Sequence, residues 1–380
     1  MPFYKAKKRV GGGGGTKTMT VRIDLTDSNP ETWATYADDA VGMTPGSAAW
    51  DKFFGHYPCI LKNGVELGNL NPNNFAQYKD GTSAPIDTVG YDVMIAFPKR
   101  GIKLSIANNE LIVSMTSADN VSGYSYLAHS YKGNPCSMFY LGAYKGHIID
   151  SQSGLYSIFG HTPTTSKTIG TFRTHAQARG TGYEQSGFFQ LTYRQVMYLL
   201  KYKGANSQTA IGRGFVDENG AVYGNVGYTN DKGMDWGEST GKYPMCLFGL
   251  EDFYGNIYEF IDGIYANSSR QILVADGNFN DTGSGYTSAG TATFSSNISG
   301  YMKLPNGTNL AGFAPASTSY GSATTFFCDN AVVNAERLGA FGGDWSNGDR
   351  AGAFRLYVNP SASTSLANYG GRLMYLKTAS

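Results

Sequence analysis

Three sets of side chains in this 380-residue chain have the types that chemistry requires. Glu251, Asp252, Asp262 and Asp276 could together offer the several oxygen ligands that calcium takes. Two of them precede a Gly255-Asn256 turn, where paired acids also serve as capping or solvated groups, so the expectation is no catalytic cofactor, with a structural calcium ion left open. The histidines, His56, His129, His147, His161 and His175, show no ligand spacing, and each reads as a packing or surface residue. Cys59, Cys136, Cys246 and Cys328 lie far apart without paired spacing, which indicates neither a zinc site nor a dense disulfide framework. They read as free, mostly buried thiols.

The last stretch of the chain has a different character. Small or structural residues recur through it: Gly342, Gly343, Trp345, Gly348, Ala351, Gly352, Ala353, Phe354, Ala362, Gly370, Gly371 and Arg372. Between them stand Asp344, Ser346, Asn347, Asp349, Arg350, Arg355, Tyr357, Asn359, Pro360, Thr364, Leu366 and Asn368, which share no chemistry. No metal cluster and no pair of nucleophile and base can be assembled from this second set. Its composition suits a surface. A scaffold accepts many different side chains where they are exposed, because such substitutions usually cost under about 0.5 kcal/mol. The second set is therefore expected to face solvent in one patch, with Trp345, Phe354 and Arg372 holding the loops. Tyr357, Tyr369 and Arg355 are the expected anchors for a ligand, since aromatic and Arg side chains dominate binding hot spots. A Gly-, Ser- and Asn-rich closing loop with no ligand is the alternative.

The rest of the sequence must position that patch. Charged residues make up 16% of the chain against a usual value of about 25%, and 50 glycines mark it as turn-rich. Its 27 tyrosines suit either an aromatic β-rich core or a binding face. A net charge of +1 leaves no electrostatic footprint for nucleic acid or an anionic membrane. Lys5, Lys7, Lys8 and Arg9 precede no apolar segment of a secretion signal, and no run is long enough to span a bilayer, so neither export by a signal nor membrane insertion is expected.

The glycine run Gly11 to Gly15 predicts a flexible arm over residues 1–16. Alternating residues such as Val21 to Leu25, the strand Val93 to Phe97 stopped by Pro98, and a strand pair around Asn108-Asn109 predict a small β-rich module at 17–120. A short helix is expected near Ser47 to Phe54 with Ser47 as its N-cap. Thr192 and Gln195 read as a capping box starting a helix that runs to Gly204. Residues 282–297 predict a long irregular loop.

The frame G-G-x-W, A-G-x-F and G-x-R, carried by Gly342 to Trp345, Ala351 to Phe354 and Gly370 to Arg372, resembles the C-terminal signature of the formylglycine-generating-enzyme branch of the C-type lectin fold. Gly249-Leu-Glu-Asp-Phe-Tyr-Gly-Asn-Ile-Tyr-Glu-Phe260 is similar to an upstream element of the same branch, and Ala205 to Gln208 resembles the version found in gut bacteria and their phages. The resemblance covers about residues 121–380 and implies an α+β chain, a C-type-lectin-like domain preceded by the small β-rich module. The interleaved end, at about 342–373, is similar to the variable region of proteins diversified by a retroelement, in which randomised Asn codons cannot yield Lys, Glu, Gln, Met or Trp. From Gly342 to Leu373 there is no Lys, Glu, Gln or Met, and Trp345 belongs to the frame.

What the resemblance implies is a non-catalytic phage tail protein, carried in the virion, that binds a bacterial surface protein or glycan. A bacterial cell-surface location is the alternative, and a homotrimer is the assembly that avidity would favour. Two other functions are consistent with the fold. A formylglycine-generating oxidase uses cysteines near its C-terminus, and none follows Cys328 here. A calcium-dependent carbohydrate lectin would carry an E-P-N or Q-P-D tripeptide, and neither occurs.

Overall fold

The computed structural model describes residues 15–290 and 294–378. Nearly all of the arm expected at 1–16 lies outside them. Four strands, β1 (Thr18–Asp24), β2 (Ala34–Asp38), β7 (Gly101–Ala107) and β8 (Glu110–Thr116), form an antiparallel sheet in the order β2-β1-β8-β7. Alternation explains β1: Met19, Val21 and Ile23 are buried while Arg22 and Asp24 are exposed. The β7–β8 hairpin turns through Asn108 and Asn109, both with positive φ (53° and 61°), as a two-residue hairpin turn of matching twist requires.

A second sheet contains β3 (Tyr57–Lys62), β4 (Val65–Asn71), β5 (Asn74–Tyr78) and β6 (Asp92–Pro98). It continues from β6 into the strand Asn134–Gly142, then Leu373–Thr378 and Tyr183–Gln185. The last strand of the chain is thus paired two strands away from β6. The sheet runs across the boundary expected at residue 120, because backbone pairing, invisible in local composition, joins the two sides. A third sheet is built from the later part of the chain, around the strands Tyr258–Ala266, Arg337–Phe341, Leu356–Val358 and Asn330–Val333. Tyr369–Gly370 adds to Tyr258–Ala266 in parallel.

Helix α1 (Ala48–Phe54) starts after Ser47 as expected, although the Ser47 side chain makes no capping hydrogen bond. Helix α2 spans Ile169–Gln177 and is capped by Thr168. Helix α3 spans Phe188–Tyr202, so the expected start at Thr192 is corrected by a full turn. All of α3 but Tyr202 is buried, which makes it a central helix covered on every side. Thr192 lies inside it, with its hydroxyl unpartnered among the described residues, and Gln195 donates to the Ala353 carbonyl at 2.9 Å. Burial of Phe188, Phe189 and Leu191 extended the helix past the local capping signal. Its end is set by Lys203 in the left-handed conformation (φ 64°), one residue before the expected Gly204.

Helix α3 packs against β1 and β8 on one side and against Tyr258–Ala266 on the other. Core residues from all three sheets join an apolar cluster around it, and a second cluster gathers other buried residues of the second and third sheets, among them Met94, Tyr140, Tyr258 and Phe260. No helix among the described residues is long and apolar enough to cross a membrane.

Candidate functional site

The closing segment is held by three residues of the predicted frame. Arg372 is fully buried and spends its guanidinium on five acceptors: Glu259 Oε2 (2.7 Å) and the carbonyls of Gly142, Ala143, Glu251 and Asp252 (2.7–3.2 Å). It ties the end of the chain to the strand Asn134–Gly142 and to the Gly249–Phe260 segment. Glu259 also accepts from Lys145 and Arg194, and this cationic surrounding holds its carboxyl well below the usual carboxylate range against the opposing effect of burial. Trp345 packs with Phe215 and Ile257. Phe354 sits among Tyr198, Phe313 and Phe327 at ring separations of 5.1–5.7 Å, and its N–H donates to Asp329 Oδ2 at 2.6 Å.

Two glycines of the frame are required by space. A Cβ on Gly352 (φ 155°) would lie 2.2 Å from Asp329 Oδ1, the carboxylate that holds Phe354. A Cβ on Gly343 (φ 88°) would lie 2.9 Å from the Ala351 methyl. Both would displace the loop they close.

Residues 205–208 act directly on this loop. Ser207 Oγ accepts from the Ala353 N–H (3.0 Å), and Gln208 Nε2 donates to the carbonyls of Gly348 and Ala351 (both 2.8 Å). The Gly249–Phe260 segment supports it from the other side, since the Trp345 N–H donates to the Asn256 carbonyl at 3.0 Å. Glu251 accepts the N–H groups of Gly227 (2.7 Å) and Thr229 (2.6 Å) and so fixes the irregular stretch after residue 211.

Asn347, Arg355, Tyr357 and Tyr369 form one connected group around Tyr258, a residue of the Gly249–Phe260 segment. Tyr258 Oη donates to Asn347 Oδ1 (2.7 Å) and accepts from Arg355 Nε (3.0 Å) and Nη2. Four rings stack in a row: Tyr357 on Tyr258 (4.9 Å), Tyr258 on Tyr369 (5.0 Å), and Tyr369 on Phe260 (5.1 Å). Arg355 lies over both Tyr258 and Tyr357 (5.4 and 5.3 Å) and donates to Asn330 Oδ1 (3.0 Å). Burial pushes the Tyr258 hydroxyl up to about 12 despite Arg355, so it stays protonated and keeps its donor.

Asp344 links two loops. Its Oδ1 accepts from the N–H and hydroxyl of Ser346 (both 2.9 Å) and from Asn347, and its Oδ2 accepts from Asn368 Nδ2 at 2.6 Å.

The expectation that the whole set faces solvent needs correction. Asp344, Asn347, Arg355 and Tyr369 are buried, because their polar atoms or rings are absorbed by the Tyr258 group and by each other, and Pro360 is buried with its carbonyl accepting from the Leu338 N–H at 2.9 Å. Ser346, Asp349, Arg350 and Leu366 are exposed, Leu366 at 55%. Tyr357, Asn359, Thr364 and Asn368 are half-buried. Asn359 donates to the Tyr357 hydroxyl (2.9 Å), and Thr364 accepts from the Ser361 N–H (2.9 Å). Arg355, Tyr357 and Asn359 alternate with buried Leu356 and Val358, as one face of a strand does. The result is a layered surface: an outer set in solvent, a middle set at the rim, and an inner set that fixes them.

The remaining chemistry-bearing residues do not converge. Asp262 is bound by Arg173 and Asp276 accepts from Ser130 and Gly133, while Glu251 and Asp252 point into separate hydrogen-bond groups. Among the described residues no three His, Cys, Asp or Glu side chains are grouped to hold a metal ion. All four cysteines are buried and unpaired.

No protein-family model and no curated protein matches the sequence. Comparison with solved structures finds a match to Treponema denticola variable protein 1, with 11% identity and a TM-score of 0.34 over 77% of this chain and 98% of that one. A second match is the Major Tropism Determinant M1 Variant, with 12% identity and a TM-score of 0.31 over 89% of this chain and 74% of that one.

Proposed function

We propose that this chain is a variable ligand-binding protein with a C-type-lectin-like fold, which recognises a bacterial surface protein or glycan through the layered surface at 342–373. The observation that carries the reading is the separation of roles within that segment. Trp345, Phe354 and Arg372 are buried and held by their partners, and of the small frame residues only Gly348, half-buried, and Ala362, exposed, are not buried, whereas Ser346, Arg350, Tyr357 and Leu366 present side chains to solvent or to its edge. Such an arrangement lets the outer side chains change without loss of the frame. A phage tail, in the virion, is the setting the resemblance favours, and a homotrimer would strengthen weak single contacts by avidity.

An oxidase reading needs a reactive thiolate. Burial pushes all four thiols upward, Cys136 to about 11, which favours the ligand-binding reading. No metal or cofactor enters the proposed recognition.

The test is binding of the labelled full chain to a panel of bacterial isolates. The expected result is saturable binding to some isolates only. Tyr357→Ala combined with Leu366→Asp should abolish it while the melting temperature stays close to that of the parent. Binding that survives both substitutions removes this surface from recognition.

A further inference from the structure

The irregular stretch after residue 211 carries an aromatic patch at the surface. Tyr228 stacks on Tyr243 (5.6 Å) and meets the rings of Tyr223 (5.3 Å) and Trp236 (5.7 Å). Tyr223 packs on the small Phe215, Ile257 and Trp345 cluster, whereas Tyr228, Trp236 and Tyr243 join no apolar core cluster. Tyr243 is 38% exposed and the other rings are half-buried. The hydroxyls of the three tyrosines and the Trp236 indole N–H have no hydrogen-bond partner among the described residues, and they open to solvent. Rings of this kind, apolar in body with a free polar tip, dominate protein-binding hot spots.

The backbone beneath the patch is held in place. Glu251 takes the N–H groups of Gly227 and Thr229, on either side of Tyr228. Trp236 exchanges both backbone hydrogen bonds with Cys246 (2.8 and 2.7 Å), and the Tyr223 N–H donates to Asn256 Oδ1 (3.0 Å). The carbonyl of the same Asn256 accepts the Trp345 N–H, and the Trp345 carbonyl accepts the Glu218 N–H at 2.7 Å. The Gly249–Phe260 segment therefore positions both the patch and the 342–373 surface, and the two adjoin through Trp345, Phe215 and Tyr223. Rings fixed before a partner arrives lose little freedom on binding it.

A sugar ring stacks on an open aromatic face, but Tyr228 has Tyr243 against it and the Lys232 ammonium over it (5.0 Å), and the same ammonium covers Trp236 (4.9 Å). The charges beside the patch are paired, Lys232 with Asp231 and Lys242 with Glu218, so a polyanionic envelope polymer gains no attraction there. Ring edges and hydroxyls remain, and these suit the mixed apolar and hydrogen-bonding surface of a folded protein. A specific protein interface takes about 20–30 residues a side, more than the eight exposed and six half-buried residues of 342–373 provide, and the adjoining patch extends the surface toward that size. Resting on the reading of 342–373 as a recognition surface, we propose that Tyr223, Tyr228, Trp236 and Tyr243 form a fixed anchor beside it for a protein receptor. The anchor supplies affinity common to every bound isolate, and the outer residues of 342–373 supply the choice among isolates.

The experiment titrates the labelled full chain on cells of several isolates that it binds, untreated or treated with proteinase K or with periodate. Proteinase K should remove binding and periodate should leave it. Tyr228→Ala with Tyr243→Ala should weaken binding about tenfold or more on every isolate by similar factors, whereas Arg350→Ser with Leu366→Thr should change it by different factors from isolate to isolate. Tyr228→Phe with Tyr243→Phe keeps the ring packing and loses only the free hydroxyls. It should weaken binding several-fold on all isolates, and it decides the question if the alanine pair does not fold. The proposal is overturned if binding survives proteinase K or is lost to periodate, or if neither the phenylalanine pair nor a folded alanine pair weakens it. It is also overturned if the alanine pair lowers the oligomeric state in sedimentation, which would make the patch a contact between copies of this chain. If the patch variants bind like the parent while Tyr357→Ala with Leu366→Asp abolishes binding, the anchor fails and the 342–373 surface stands. A parent chain that binds no isolate removes both.

Discussion

At the scale of single residues, the site separates those that hold from those that meet a ligand. Arg372 holds. Substituting it with Met strips donors from four backbone carbonyls and from Glu259 in a fully buried setting, and the loss should be about 3–5 kcal/mol in urea denaturation. A loss below about 1 kcal/mol would show that Lys145 and Arg194 suffice for Glu259 and that the carbonyls find other donors. Tyr357 is the contrasting case. It is half-buried, its packing on Tyr258 is worth about 0.5–1.5 kcal/mol, and Tyr357→Ala should cost no more than that in stability. The same substitution should weaken receptor binding by about 2 kcal/mol, roughly thirtyfold, measured by titration on a bound isolate. The two variants therefore differ in which assay they fail. Part of this difference was legible beforehand. Arg372, Phe354 and Trp345 were recognisable as frame, since each closes a run that opens on small residues, Gly370-Gly371, Ala351-Gly352-Ala353 and Gly342-Gly343. The inner position of Asn347 and Arg355 was not legible, because their common partner, Tyr258, is 89 and 97 residues away in the chain, and residue type alone does not tell a ligand contact from a satisfied internal one.

At the scale of elements, two loops and a strand must share one geometry for the surface to exist. Asp344 is the joint. It gathers the 344–347 turn through Ser346 and Asn347 and reaches the 361–368 loop through Asn368, whose carbonyl in turn accepts the Tyr258 N–H at 2.9 Å. Asp344→Ala should leave the sheets intact but release the 361–368 loop, seen as faster limited proteolysis between Ser361 and Asn368 than in the parent. Equal cleavage rates would mean that the loop is held by Ser166 and Leu366, whose backbones also pair (3.1 Å), and that the joint is redundant. The elements themselves were legible where the signal is local. The Asn108-Asn109 hairpin and the strand before Pro98 follow from turn chemistry and alternation. The start of α3 was not, because the capping pattern at Thr192 competes with a buried apolar turn before it and the tertiary gain wins. The split of the chain near residue 120 was likewise unreadable, since the strand Leu373–Thr378 completes a sheet begun by β3 and β6.

At the scale of the whole molecule, opposing buried groups set how stability follows pH, and Asp252 provides the clearest test. Burial, with Glu251 beside it, raises Asp252 to about 7, and its Oδ1 has no partner among the described residues. The folded state therefore keeps a proton on Asp252 at pH values where the unfolded chain, with an ordinary carboxyl near 4, has lost it. Between these two values the folded state binds more protons than the unfolded one, so this group's contribution to stability falls as pH rises and levels off above about 7. His56 and His129 act in the other direction. Burial lowers them to about 4 and about 3, the unfolded chain takes up their protons first, and their contribution is lost as pH falls from about 6.5 toward those values. The parent's own pH profile mixes both signs, and a substitution separates them. Asp252→Asn fixes the neutral form, retains an acceptor for Asn256 and adds a donor where the carboxyl proton would sit. Relative to the parent it should gain a few kcal/mol between pH 4 and pH 8, with most of the change below pH 7, when both are unfolded in urea at each pH. His56 and His129 are unchanged in the pair and cancel from the difference. A flat difference across that range would show that Asp252 is ionised in the folded protein throughout, with Lys145 and Arg372 offsetting its burial.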